Sequence, residues 1–183
     1  MFVLTLKELF RLVFVTLALG YIFSSIAKRP RSLEDLQKRF DFEDLKIAAI
    51  IAAPAVILHE LGHKFVGMFF GLQTEFFASY FGLAIGVVLK LIGSPLIFFI
   101  PGYVSISNAT AFQSMITAAA GPFMNLALWL GTGLLLKHKH FGHKTMLILY
   151  ATKRINMILF FFNIIPLPPF DGSKILSGLL DYF

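Results

Sequence analysis

The sequence predicts an all-α polytopic membrane protein, a bundle of about five to six transmembrane or re-entrant helices with small β-strand elements near the candidate functional site. The first observation is composition: 57% of the residues are hydrophobic, 14% are charged, and the mean hydropathy is +0.80. Soluble domains carry about 25% charged residues, so a soluble protein is excluded. The second observation is a series of apolar stretches, several of them close to the roughly 20 residues that a helix needs to cross a bilayer.

The net charge and the cysteine content limit which partners and which metal ligands the protein can have. The formal charge is +6, and the basic residues cluster in short loops beside apolar stretches, where anionic lipid headgroups attract them. We therefore predict the lipid bilayer, and no nucleic acid, as a partner. Because the chain has no Cys, a disulfide framework and a thiolate metal site are both excluded, and any metal must be bound by His, Asp, Glu or water.

Residues 1–46 are predicted to form an N-terminal transmembrane anchor and a charged connector, and residues 47–183 to form the core. Residues 9–27 give the first span, which is followed by a basic cluster at 28–31 without a small-residue cleavage site. We expect this span to be retained rather than removed as a signal peptide. Residues 28–46 carry charges of both signs, which is typical of a solvated or interfacial helix.

The second span, residues 47–72, contains the motif His59-Glu60-Leu61-Gly62-His63. On a helix, histidines four residues apart share a face and can bind one Zn²⁺, with Glu60 beside the metal as general base. An ionisable side chain at membrane depth is costly and indicates a functional site. The motif therefore predicts metal-dependent hydrolysis at membrane depth.

Residues 73–81 and 101–107 alternate in polarity like short strands. Between them, residues 82–100 are apolar but interrupted by Gly93-Ser94-Pro95, which a continuous helix resists. The next strong span, residues 111–136, must start on the face where the second span ends. We therefore predict that residues 82–100 return to their starting face, as a re-entrant hairpin or as two short helices.

The span at residues 111–136 contains Asn125, which either orients a zinc ligand or bridges helices; the sequence leaves both roles open. In the last region, Lys153 and Arg154 are predicted to lie at an interface, followed by a short apolar helix over 155–165. A proline-rich break then delivers Asp171 on irregular backbone, which is tolerated at membrane depth only inside protein or beside a wet cavity. A carboxylate placed there needs a cation.

Counting about 1.5 Å per helical residue gives the depth of each polar group. If Lys46, Lys137 and Arg154 mark one membrane face, then the histidines, Asn125 and Asp171 lie at one level. Three protein ligands with an open position form the catalytic type of zinc site. The sequence therefore predicts one Zn²⁺ per chain, bound by His59, His63 and Asp171.

The chain resembles the site-2 protease family of intramembrane zinc metalloproteases, especially its archaeal and bacterial members. The matching segments are His59-Glu60-Leu61-Gly62-His63, Ala120-Gly121-Pro122-Phe123-Met124-Asn125, and Asn163 through Pro166 to Pro169-Phe170-Asp171-Gly172. The resemblance implies a multi-pass protein of the cell membrane that cleaves peptide bonds within transmembrane segments of membrane-protein substrates. It also implies that His59, His63 and Asp171 bind zinc, that Glu60 activates water, and that Asn163 helps to hold the substrate carbonyl.

Two other functions remain open at this point. A metal-ion transporter could use the same histidines and carboxylate for transit, but it has no evident need for Glu60. A catalytically inactive adaptor could bind membrane helices, but it would need neither the base nor all three ligands. For a protease, an exposed strand edge at 73–81 or 103–107 could hold an extended substrate by β-augmentation. The excess of Lys and Arg would place the Lys46 face in the cytosol, whereas the family resemblance implies the opposite orientation.

Overall fold

The computed structural model describes residues 4–24, 42–94, 100–138 and 140–182. The predicted fold class is confirmed, because these residues are mostly helical and contain one small sheet. Most of the charged connector predicted at 28–46, and the Pro95 interruption, lie outside the described residues. The elements in chain order are α1 (Leu6–Phe23), α2 (Phe42–Phe69), β1 (Gln73–Ala78), α3 (Tyr80–Leu91), β2 (Gly102–Ser107), α4 (Ala111–His138), α5 (His143–Ile164) and α6 (Asp171–Leu180).

Three helices of the described residues, α2, α4 and α5, are long enough and apolar enough to cross a membrane. Helix α1 is 18 residues long and carries charged side chains near its start. It begins three residues before the predicted first span, and its inner face, which includes Leu12, Val15 and Leu19, packs with Ala52 of α2. Large apolar side chains such as Phe10 remain exposed on its outer face, as lipid would require.

A buried ion pair joins α1 to the rest of the protein. Thr5 caps the helix, and Glu8 completes the capping box by accepting a hydrogen bond from the Thr5 backbone at 2.8 Å. The Glu8 carboxylate also pairs with Lys64 of α2 and accepts a hydrogen bond from the Phe76 N–H of β1 at 2.8 Å. Because a buried charge that loses its partner is strongly destabilising, this pair fixes α1 against both elements.

Strands β1 and β2 form an antiparallel pair in which Phe76 lies opposite Val104. Both strands were predicted, and both are confirmed. Helix α3 between them has 12 residues, or about 18 Å, which is too short to cross a hydrocarbon core of about 30 Å. The chain returns to its start, because the Ser79 N–H donates to the Pro101 carbonyl at 3.0 Å. The predicted return is confirmed, although residues 95–99 lie outside the described range.

The prediction that Lys153 and Arg154 lie at a membrane interface was wrong. Helix α5 is continuous from His143 to Ile164, so both residues lie in its middle. The Lys153 side chain lies along α4, where a Cβ on Gly133 would be 3.7 Å from its Cε atom. The ammonium group thus extends toward the His138 end of α4 while the aliphatic stem covers apolar surface. Snorkelling of this kind lets a lysine occupy the interior of a spanning helix.

The depth of Asn125, which was predicted to lie level with the histidines and Asp171, follows from α4 alone. Asn125 lies 14 residues after Ala111 and 13 residues before His138, so it is about 20 Å from either end of the helix. Helix α6 packs along the first half of α4, since a Cβ on Gly178 would lie 2.8 Å from the Ala111 carbonyl oxygen. The irregular residues 165–170 and the start of α6 therefore lie between the middle of α4 and its sheet-bearing end.

Candidate metal centre

Side chains from α2 and α6 meet at one point. The His59 Nε2 and His63 Nε2 atoms lie 3.1 Å and 3.3 Å from the Asp171 Oδ2 atom, and 3.1 Å from each other. Both histidines are buried, and the carboxylate is mostly buried. The structure thus brings together the three residues that depth counting placed at one level, although one of the three markers used for that count was wrong.

Hydrogen bonds on the far side of each imidazole fix which nitrogen carries the proton. The His63 Nδ1 lies 2.8 Å from the Thr117 carbonyl oxygen, which can only accept, so His63 is protonated at Nδ1. The His59 Nδ1 lies 2.7 Å from the Asn125 Oδ1 and donates to it. In the neutral imidazoles, both Nε2 atoms therefore present lone pairs to the space beside Asp171.

This donor set fits a divalent cation. Two nitrogen lone pairs and a carboxylate oxygen repel one another at these distances unless a positive charge lies among them. Atoms that each lie 2.0–2.1 Å from one zinc ion in tetrahedral arrangement are about 3.3 Å apart, close to the three separations observed. Within the described ranges, His59, His63 and Asp171 are the one group of three or more side chains that could hold a metal ion.

The close approach of α4 to the two imidazoles depends on glycine. A Cβ on Gly121 would lie 2.5 Å from the His63 Cε1 and 2.7 Å from the His59 Cε1, closer than any real contact. On the facing side, a Cβ on Gly62 would lie 2.9 Å from the Ala120 carbonyl oxygen. The glycine of the Gly-Pro motif is therefore required so that α4 can pack directly against both histidines.

Asp171 reaches the centre because the chain breaks after α5 and restarts with this residue. It is the first residue of α6, where the helix dipole favours a carboxylate. Gly172 then packs against the end of α5, since its missing Cβ would clash with the carbonyl oxygens of Ile164 and Ile165. The proline-rich break and this glycine together place the Asp171 carboxylate beside the two histidines of α2.

Glu60 is buried beside the three candidate metal ligands, and its Oε2 atom has no hydrogen-bond partner within the part of the chain that the structure describes. An unpartnered carboxylate oxygen is costly unless a ligand or water satisfies it. On α6, the charged groups that act on Glu60 are Asp171 and Lys174. Lys174 was not predicted from the sequence, although its position three residues after Asp171 on α6 places both side chains on one helix face.

The asparagines behave differently from one another. Asn125 makes the contacts that both open roles require, because it accepts a hydrogen bond from the candidate ligand His59 and also joins α4 to α2 and α5. Its partner on α5 is Asn156, which is fully buried. Asn156 was not predicted from the sequence, although an amide side chain within an apolar helix indicates a contact between helices. Asn163 donates to the Leu159 carbonyl of its own helix at 3.0 Å, and no hydrogen bond recorded for it reaches the three ligands.

Comparison with known proteins gives a consistent result. The sequence model of peptidase family M50 matches residues 47–138. A protein of Methanocaldococcus jannaschii, provisionally named a zinc metalloprotease, is 32% identical over 173 residues, which are 93% of this chain and 84% of the archaeal protein. A Synechocystis protein with the same provisional name is 29% identical over 136 residues, 73% of this chain but 31% of its own length. No solved structure matches the chain.

Proposed function

The chain belongs to peptidase family M50 and is a metalloprotease, and we propose that it is a zinc endopeptidase that cleaves peptide bonds within transmembrane segments of membrane-protein substrates. We also propose that it is a multi-pass protein of the cell membrane. One observation carries the proposal: the convergent ligand group lies next to the midpoint of α4, and both α2 and α4 are apolar enough to span a membrane. A substrate bond must therefore enter the membrane interior to reach it.

His59, His63 and Asp171 would hold one zinc ion per chain. The separations of their ligand atoms and the proton positions on both imidazoles support this role, as do the provisional names of both relatives. When bound, zinc acts as a Lewis acid that makes hydroxide available at neutral pH.

Glu60 is the general base in this proposal. It neighbours His59 along α2 but is not one of the three converging groups, and its free Oε2 can accept a proton from water. The same carboxyl group then delivers that proton to the leaving amine. Burial keeps bulk water from competing for the proton and strengthens the electrostatic attraction of neighbouring charges.

Asn163 is proposed to hold the substrate carbonyl as negative charge develops on its oxygen. It lies in the last turn of α5, next to Ile164, whose carbonyl packs against Gly172 beside the Asp171 ligand. One N–H of its amide is used by Leu159 and the second remains for substrate. Loss of one such donor typically lowers a rate by about 10²–10³-fold.

A substrate helix must become extended before its carbonyls are accessible, and a free strand edge can hold it in that form. The outer edge of β1 is already occupied by α1. The Phe76 N–H donates to Glu8 at 2.8 Å, and its carbonyl accepts from Arg11 at 2.7 Å. Since both backbone groups of Phe76 point away from β2, Phe76 and Val104 form a non-hydrogen-bonded pair. The backbone groups of Val104 therefore point outward as well.

The outer edge of β2 is thus the proposed binding edge, formed by the backbones of Gly102, Val104 and Ile106. No hydrogen bond to these outward groups is recorded within the described residues. Ile106→Pro removes one outward N–H while keeping the inner ladder, so kcat/KM should fall by about 3- to 10-fold, the value of one hydrogen bond. Ile106→Val keeps the N–H and should cleave at the wild-type rate. Equal kcat/KM for the proline variant and wild type would contradict this binding edge.

Transport and passive helix binding are less consistent with the centre. Neither activity needs a buried carboxylate with a free oxygen beside the three ligands. Membership of a peptidase family also favours hydrolysis over both alternatives.

The proposed function is tested with purified protein and a model transmembrane peptide in lipid nanodiscs. We expect cleavage inside the apolar segment, located by mass spectrometry, that stops when a zinc chelator is added and returns when zinc is restored. A soluble peptide of similar length serves as a control for ordinary proteolysis. Cleavage that is insensitive to the chelator, or restricted to residues outside the apolar segment, would overturn the proposal.

A further inference from the structure

A continuous line of hydrogen bonds runs from the first histidine of the centre into α5. The His59 Nδ1 donates to the Asn125 Oδ1 at 2.7 Å. The Asn125 Nδ2 donates to the Asn156 Oδ1 at 2.9 Å, and the Asn156 Nδ2 donates to the Thr152 carbonyl at 2.8 Å. Both asparagines are fully buried. Three helices therefore share one polar connection that ends at a metal ligand.

Each hydrogen bond in this line has a defined donor and a defined acceptor. The Thr152 carbonyl can only accept, so Asn156 must turn its NH₂ group toward it and its oxygen toward Asn125. Asn125 must then present its NH₂ group to Asn156 and, with its second hydrogen, to the Ala55 carbonyl at 3.0 Å. Only the Asn125 oxygen remains for His59, which must carry its proton on Nδ1.

The consequence for the centre is a choice of tautomer. If the Asn125 amide turned over, its NH₂ group would face His59 Nδ1, and the imidazole proton would move to Nε2. A protonated Nε2 cannot bind a metal ion. The Ala55 carbonyl opposes this reversal from α2, and Asn156 opposes it from α5.

We propose that Asn156 is a positioning residue that, through Asn125, holds His59 in the tautomer able to bind zinc. The inference rests on the proposed zinc centre and deepens it, since it makes α5 part of the machinery that prepares the ligand. Loss of a group that supports a metal ligand by hydrogen bonding typically lowers metal affinity by about 10- to 100-fold. Because the Ala55 carbonyl still holds Asn125, replacement of Asn156 should weaken zinc binding by about 10-fold, near the lower end of that range.

The test measures the zinc Kd of the full chain in Asn156→Leu, Asn125→Leu and the double variant. If Asn156 acts through Asn125, the double variant should bind zinc no more weakly than Asn125→Leu alone, whereas independent effects would multiply. Thr132→Val is the matched control, because among the described residues its buried hydroxyl on α4 bonds only to carbonyls of its own helix, and its Kd should equal that of wild type. Asn156→Ala carries the same expectation if Asn156→Leu does not fold.

A second readout needs neither zinc nor activity. In metal-free protein with ¹⁵N-labelled histidine, at a pH where the His59 imidazole is neutral, wild type should show the Nδ1–H tautomer and Asn156→Leu should show a mixture. An unchanged His59 tautomer, an unchanged Kd in a folded Asn156 variant, or multiplicative effects in the double variant would overturn the inference. Wild-type protein that binds no zinc would instead refute the proposed function, and the tautomer measurement would still decide the role of Asn156.

Discussion

Glu60→Gln should lower the rate of peptide cleavage by about 10²- to 10⁴-fold, the usual contribution of a general acid–base group. The amide has the size of the carboxylate but cannot take a proton from water. Because Glu60 is not among the three converging ligand groups, the variant should still bind one zinc ion per chain with the wild-type Kd. The measurement combines cleavage of a transmembrane peptide with zinc content determined on the same purified sample.

A matched control for this variant lies on the same helix. Glu43→Gln changes a carboxylate in the first turn of α2 that is exposed at the protein surface, and its cleavage rate should stay within about twofold of wild type. Retention of full activity by Glu60→Gln would show that another group acts as base. Loss of zinc from Glu60→Gln would instead place its carboxylate in the metal coordination, contrary to the geometry of the three ligands.

The sequence could predict that His59, His63 and Asp171 come together, because candidate metal ligands occur in recognisable local patterns. Histidines four residues apart on an apolar helix, and an aspartate after a proline-rich break, are each unusual at membrane depth and each call for a cation. Their common level was predicted by counting residues from Lys46, Lys137 and Arg154. The predicted level of Asp171 was correct although Arg154 was misplaced. Helix α5 continues past Asn156, which contacts Asn125, and residues 165–170 then turn the chain back toward the histidines.

Features that depend on contacts between helices could not be predicted in this way. The role of Asn156 requires knowing that it faces Asn125 across two helices, 31 residues apart in sequence. Helix α5 was misjudged because Lys153 hides its charge by lying along α4, a packing effect that hydropathy does not register. The choice between β1 and β2 as the free edge likewise depends on Glu8 and Arg11, which reach β1 from a distant part of the chain.

Gly121→Ala should weaken zinc binding by about 10- to 100-fold or more, and cleavage should fall with it. The added methyl group would enter the space held by the His59 and His63 rings, so at least one imidazole must leave its position. Overpacking of this kind costs about 1–3 kcal/mol, whereas alanine in place of glycine stabilises a helix by about 0.5–1 kcal/mol. The gain offsets only part of the cost, which leaves a net loss of about 0–2.5 kcal/mol. The main loss should therefore appear in the metal site, while the helical content is retained.

Gly131→Ala separates this steric effect from the general effect of alanine on α4. A Cβ at Gly131 meets no atom within 4 Å, so this variant gains helix propensity without displacing anything. It should keep the wild-type zinc Kd and cleavage rate, with a Tm equal to or slightly above that of wild type. Zinc titration, peptide cleavage and thermal unfolding of both variants make the comparison. If Gly121→Ala bound zinc as tightly as Gly131→Ala, α4 could not be packed against the two imidazoles as described, and the close approach that the Gly-Pro motif provides would have no part in forming the metal site.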